Sequence, residues 1–134
     1  MQITRQADYA VRAVVYLAQL GANQKASTSQ IAEEKDIPLS FLAKIIAQLS
    51  VAGLLQTMRG ARGGVTLARP PEEISLLEVV EAIDGPIMLN ECVNGSFDCS
   101  QKDCPIHEIW VDAQADLVKR LKASNFGQFV KVEA

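Results

Sequence analysis

The 134-residue sequence has one histidine, one tryptophan and three cysteines, and aromatic residues make up only 5% of it. No apolar run is long enough to cross a bilayer, and near the N-terminus Arg5, Asp8 and Arg12 interrupt the apolar residues where a signal peptide would need a continuous core. These absences predict a cytoplasmic chain with no membrane partner. Internal repeats and low-complexity stretches are also missing, which excludes solenoids and disordered tracts. Paired C-x-x-C knuckles, the mark of structural zinc, do not occur. No oxyanion-hole motif or pocket-forming sheet pattern accompanies Cys104 and His107, so an enzyme with a cysteine nucleophile lacks its apparatus. The length excludes a large multi-domain enzyme and fits one compact domain carrying a long appended helix. With 49% apolar and 22% charged residues, the chain can bury a core.

The net charge of −3 argues against a polyanionic partner, but its distribution argues for one. Residues 1–69 hold 8 basic and 4 acidic side chains, whereas residues 70–134 hold 5 basic and 12 acidic. Only the first half can face phosphate. The asymmetry points to a nucleic-acid module, 1–70, joined to a second region, 71–134.

The apolar rhythm predicts a mostly α fold. From Thr4 as N-cap, Ala7, Ala10, Val11, Val14, Leu17 and Ala18 mark an amphipathic helix that stops at Gly21. Ser27 with Gln30 has the capping-box form and opens a short helix through Lys35. Asp36-Ile37-Pro38 breaks it. A third helix over 39–52 is expected to bury Leu39, Leu42, Ile45, Ile46 and Leu49 before ending at Gly53. Two helices joined by so tight a turn suggest a helix-turn-helix. Two extended runs, 54–58 and 65–68, then flank Arg59-Gly60-Ala61-Arg62-Gly63-Gly64, and this reads as a two-stranded wing.

Beyond Pro70-Pro71, Ser75 and Glu78 form a capping box stapled by Ile74 and Val79, starting a helix that ends near Asp84. The stretch to about Asp103 has no period and reads as loop. From Pro105 a last long helix carries Ile106, Ile109, Trp110, Ala113, Leu117 and Leu121 on one face. That stripe must be covered, either by the first helix or by the same helix of a second chain. The commonness of two-fold pairing favours a homodimer.

On the third helix, the side away from the core presents Ser40, Lys44, Ala47 and Gln48, with Phe41 on its flank. Small and polar side chains admit a helix to the major groove of double-stranded DNA. Lys44 and Gln48 can reach bases or phosphates there, and Phe41 can touch a thymine methyl. Arg59 and Arg62 would anchor the wing on phosphates or in the minor groove, with Gly60 allowing close approach.

All three cysteines, Cys92, Cys99 and Cys104, fall within 13 residues, and the sole histidine, His107, follows Cys104 by three. Scattered packing cysteines would not cluster so, and an odd count argues against a structural disulfide. A metal site is favoured, with Cys104 and His107 projecting to the same side from the first turn of the last helix. Spacings of six, four and two intervening residues favour an iron-sulfur cluster over tetrahedral zinc, with a plain redox-sensing thiol set as the third reading.

These residues resemble a known family: the bacterial winged-helix transcription regulators typified by the iron-sulfur regulator IscR and the nitric-oxide sensor NsrR. The resemblance rests on Ile3-Thr4, on Asp8-Tyr9-Ala10-Val11-Arg12-Ala13 and on Leu39-Ser40-Phe41-Leu42 with Ile45 and Leu49. It also rests on Gly53-Leu54 leading to the 59–64 tip, and on three cysteines ahead of the last helix. It implies a winged helix-turn-helix with a long C-terminal dimerisation helix, a homodimer on a palindromic operator, and an iron-sulfur cluster, with 2Fe-2S favoured and 4Fe-4S the alternative. Ser40, Phe41 and Lys44 then fall on the reading helix, Arg59 on the wing, and Cys92, Cys99 and Cys104 on the cluster thiolates. The fourth ligand is His107 by similarity to IscR, or Asp8 of the other subunit by similarity to some nitric-oxide sensors. The contrasting expectation is a winged-helix repressor with structural zinc or bare thiols, answering to a protein or small molecule.

Overall fold

The computed structural model describes residues 2–21, 24–60, 63–93 and 104–130. Along the chain run α1 (Arg5–Leu20), α2 (Thr28–Lys35), α3 (Leu39–Val51), β1 (Leu55–Met58), β2 (Gly64–Leu67), α4 (Leu76–Asp84) and α5 (His107–Ala123). Short 3-10 turns occupy Pro71–Glu73, Glu91–Val93 and Phe126–Phe129.

Helix α1 is the centre of the molecule. Its N-cap Thr4 accepts the Ala7 N–H, and Ala7, Ala10, Ala13, Val14, Leu17 and Ala18 are buried. The four buried alanines let α3 and α4 pack closely against it. Ser27 caps α2 by accepting the Gln30 N–H at 3.0 Å. The reciprocal half of the expected capping box does not form, because the Gln30 side chain donates instead to the Tyr16 hydroxyl at 3.1 Å, tying α2 to α1. Asp36 closes α2 in the left-handed region (φ 52°, ψ 53°), with its N–H on the Ala32 carbonyl. Aspartate tolerates that conformation, and the reversal drives Ile37 into the core.

The third helix corrects one expectation. Leu42, Ile45, Ile46 and Leu49 are buried, but Leu39 is half exposed because the turn at Pro38 leaves the first residue of α3 on its outer side. The wing pairs antiparallel with Leu55 opposite Leu67 and Met58 opposite Gly64. Ala26 adds a one-residue third strand, exchanging both backbone hydrogen bonds with Val65 at 3.1 and 2.7 Å.

At α4 both halves of the predicted capping box are present, and Ile74 and Val79 are fully buried. The last helix begins at His107 rather than at Pro105. Cys104 to His107 forms a turn in which the His107 N–H meets the Cys104 carbonyl at 3.2 Å, and the α ladder is entered only from Ile106, whose carbonyl accepts the Trp110 N–H. Cys104 therefore stands just outside the helix whose first turn it was expected to share.

After α5 the chain returns to the body. Leu76 N–H donates to the Ser124 carbonyl at 2.8 Å and Phe126 N–H to the Ile74 carbonyl at 3.1 Å. Phe126 is thereby inserted into a continuous core with Ala10, Val14, Leu17, Leu42, Leu49, Val65, Ile74 and Val79. Nothing in the apolar rhythm of the sequence foretold this return.

Candidate nucleic-acid interface and cysteine site

The outer face of α3 exposes Leu39, Ser40, Phe41, Ala43, Lys44, Ala47 and Val51, and the helix carries no acidic side chain. A solvated helix face ordinarily mixes both charges, whereas this one offers a cation, a hydroxyl, a ring and small side chains between them. Helix α2 and its tight turn hold α3 from behind, and the tie of Gln30 to Tyr16 fixes α2 on α1. Gln48 is only half exposed, and its Oε1 is out of solvent with no hydrogen-bond partner. Of the α3 residues expected on the DNA side, Ser40, Phe41, Lys44 and Ala47 are exposed.

Arg59 is exposed where β1 ends, and Gly60 beside it adopts φ 102°. The turn is drawn tight by the Gly63 N–H on the Gly60 carbonyl at 2.9 Å. A Cβ at Gly63 would collide with the Met58 carbonyl, so the sequence has glycine where the hairpin backbone crosses itself most closely. Arg62 lies outside the described residues.

In the second half of the chain, Cys92 sits in the Glu91–Val93 turn, which packs against α5. Cys104 immediately precedes that helix and His107 opens it. Both described cysteines are half-buried free thiols, and His107 is exposed. Cys99 lies outside the described residues, and among those described no three metal-ligating side chains converge. The donor types are thiols and an imidazole, a set that suits an iron-sulfur cluster and also suits zinc. Asp8, the alternative ligand, is on α1 and pairs with Arg12 at 2.8 Å, while the Arg12 guanidinium lies 5.6 Å above the Tyr9 ring.

Helix α5 itself buries none of its residues fully. It packs on α4 and the Glu91–Val93 turn, and Ala113, Gln114, Leu117, Val118 and Leu121 are half-buried, but Ile106, Ile109, Trp110 and Val111 around its start are exposed. Among the described residues, no helix is long and apolar enough to cross a membrane.

A reading helix behind a tight turn, followed by a glycine-tipped hairpin, defines a winged helix-turn-helix of the transcription-regulator class. The family described as Rrf2, iron-dependent transcriptional regulator, matches residues 3–132, and the chain belongs to it. Its members are regulators, not enzymes. The HTH-type transcriptional regulator NsrR of Shouchella clausii is 37% identical over 94 residues, covering 70% of this chain and 63% of that protein. The chain spans about two thirds of the length of the curated relatives it matches, 66% and 63% for the first two. The solved structure of T. potens IscR superposes with a TM-score of 0.75 at 25% identity over 94% of this chain and 83% of that one. CymR, the global cysteine regulator of B. subtilis, superposes with a TM-score of 0.82 over 98% of this chain and 99% of the other, and at 19% identity it speaks to the fold alone.

Proposed function

We propose that the protein is a homodimeric, cytoplasmic regulator that binds a palindromic DNA operator and senses iron-sulfur status, nitric oxide or redox state through a cluster held by Cys92, Cys99, Cys104 and His107. The observation that carries this reading is that the turn holding Cys92 packs on α5, the helix that Cys104 precedes and His107 opens. The iron dependence of the family and the similarity to NsrR and IscR support iron over zinc. When bound, the cluster supplies a labile, oxidisable centre.

The chain's own residues do the rest. Ser40, Phe41, Lys44 and Gln48 address the major groove, and Arg59, Gly60 and Arg62 hold the wing on the backbone or in the minor groove. The exposed Ile106, Ile109, Trp110 and Val111 form the seam for a second copy, which would set the two reading helices one DNA turn apart. Ligands at the start of α5 fix that helix relative to α4, so a change at the cysteines biases the angle between the two reading heads.

The test is purification without oxygen, followed by visible absorbance, iron and sulfide analysis and sedimentation. Colour with iron and acid-labile sulfide in a dimer is the expected result. Zinc without sulfide, or a metal-free chain with three reactive thiols, replaces the cluster reading by the zinc or thiol reading.

A further inference from the structure

We infer that Thr4 and Asp84 are the positioning pair that passes the state of the cysteine segment to the reading head. This inference rests on the sensor reading above and deepens it. Asp84 is the last residue of α4, and its carboxylate accepts both the Thr4 N–H at 3.2 Å and the Thr4 hydroxyl at 2.5 Å. The same Thr4 oxygen accepts the Ala7 N–H at 3.1 Å, so one side chain both caps α1 and holds α4.

Helix electrostatics give the pair its direction. A carboxylate at a helix C-terminus faces the negative end of that helix's dipole, which is unfavourable, whereas at a helix N-terminus it is favourable. Asp84 stands at the wrong end of α4 and the right end of α1. The contact with Thr4, 80 residues away in the chain, offsets that unfavourable placement. A local rule broken at one element and repaired at another marks a residue kept for what it joins.

From Asp84 the chain leads directly to the cysteines. Gly85 reverses it at φ 79°, Ile87 is buried, and the Leu89 N–H donates to Gln114 Oε1 of α5 at 2.9 Å, three residues before Cys92. Two held points therefore flank residues 85–88, just ahead of Cys92: Leu89, bonded to the helix that carries His107, and Asp84, on the helix that packs against α3. A shift of α5 at the cysteine end pulls on Leu89 and is delivered through Asp84 to the first turn of α1. Hydrogen-bonded and packed groups thus run without a break from Gln114 to the cap of α1, and coupling requires that the Thr4–Asp84 contact have a second, broken state, which the experiment below looks for.

The experiment compares the intact protein, loaded with ferrous iron and sulfide under argon, with the same protein stripped by chelator. Amide exchange at Ala7 and operator affinity are read in both states, using a duplex enriched from random sequence by the loaded protein. Both readouts are expected to differ between states by about fivefold or more in the intact protein. Asp84→Asn and Thr4→Ala are expected to collapse that difference, and Thr4→Ser, which restores the hydroxyl, to keep it. Melting curves identify any variant that does not fold, in which case the remaining one decides. An intact protein that responds while folded Asp84→Asn and Thr4→Ala respond in full overturns the inference and leaves the sensor reading standing. Iron uptake with no difference between states in the intact protein also overturns it. Failure to take up iron at all removes the sensor reading, and this inference with it.

Discussion

Arg69 and Glu78 meet at 2.9 Å where the chain passes from the wing into α4, and Glu78 is at the same time the reciprocal member of the Ser75 capping box. Burial pushes the Glu78 carboxyl up, but the Ser75 N–H, the Arg69 guanidinium and the Ser75 hydroxyl together outweigh it and hold the group below its ordinary value of 4.5. The folded protein thus keeps this site ionised at a pH where the unfolded chain has begun to protonate it. The stabilisation is complete above 4.5 and is lost as pH falls through the lowered folded value. Melting temperatures followed from about pH 5 to about pH 3 should fall less steeply in Glu78→Gln than in the parent.

Phe126 is 1% exposed and Phe129, its neighbour at 6.0 Å between ring centroids, is 44% exposed. Removing a buried phenylalanine side chain leaves a cavity as well as losing its transfer energy. Phe126→Ala should therefore cost about 3–5 kcal/mol in urea denaturation. Phe129→Ala should cost well under half as much, and equal losses would contradict the insertion of the tail.

Arg59 at the wing should contribute one phosphate or minor-groove contact. Arg59→Ala is expected to weaken operator binding and to reduce the slope of log affinity against log salt by about 1. Gly63→Ala, which forces the Met58 carbonyl aside, should lower affinity while leaving the helical signal in circular dichroism intact. An unchanged salt slope in Arg59→Ala would remove the wing contact.

His107 and Asp8 are separable as ligands. His107→Ala should shift the visible spectrum and speed loss of iron in air, whereas Asp8→Ala should leave the spectrum in place and affect chiefly the Arg12 pairing. The opposite pattern would transfer the fourth ligand to α1 of the partner chain.

The helices were legible in the sequence because their signals are local: caps at Thr4, Ser27 and Ser75, a stop at Gly53, and apolar spacing that names Ala10, Val14, Leu42, Ile45 and Leu49. What escaped were contacts between residues far apart in the chain. The Gln30 amide prefers a tyrosine on another helix to its own cap, Ala26 pairs with Val65, and Phe126 enters the core from a segment with no period of its own. Leu39 fits the apolar rhythm of α3 but lies at its first turn, where the spacing cannot tell an inward from an outward side. At the cysteine site the residue types were readable. The position of Cys104 ahead of the helix was not, because Pro105 is as acceptable in a turn as in a first helical turn.

Helix α5 is held at its far end by the Ser124–Phe126 return and at its middle by Gln114, while its near end carries His107 and an uncovered apolar surface. Seventeen residues of helix span about 25 Å, so the element behaves as a lever whose fulcrum lies inside the body. A small rotation about the Phe126 anchorage becomes a displacement of several ångströms at the tip. Whatever grips that tip therefore acts on the body with the longest arm that α5 offers.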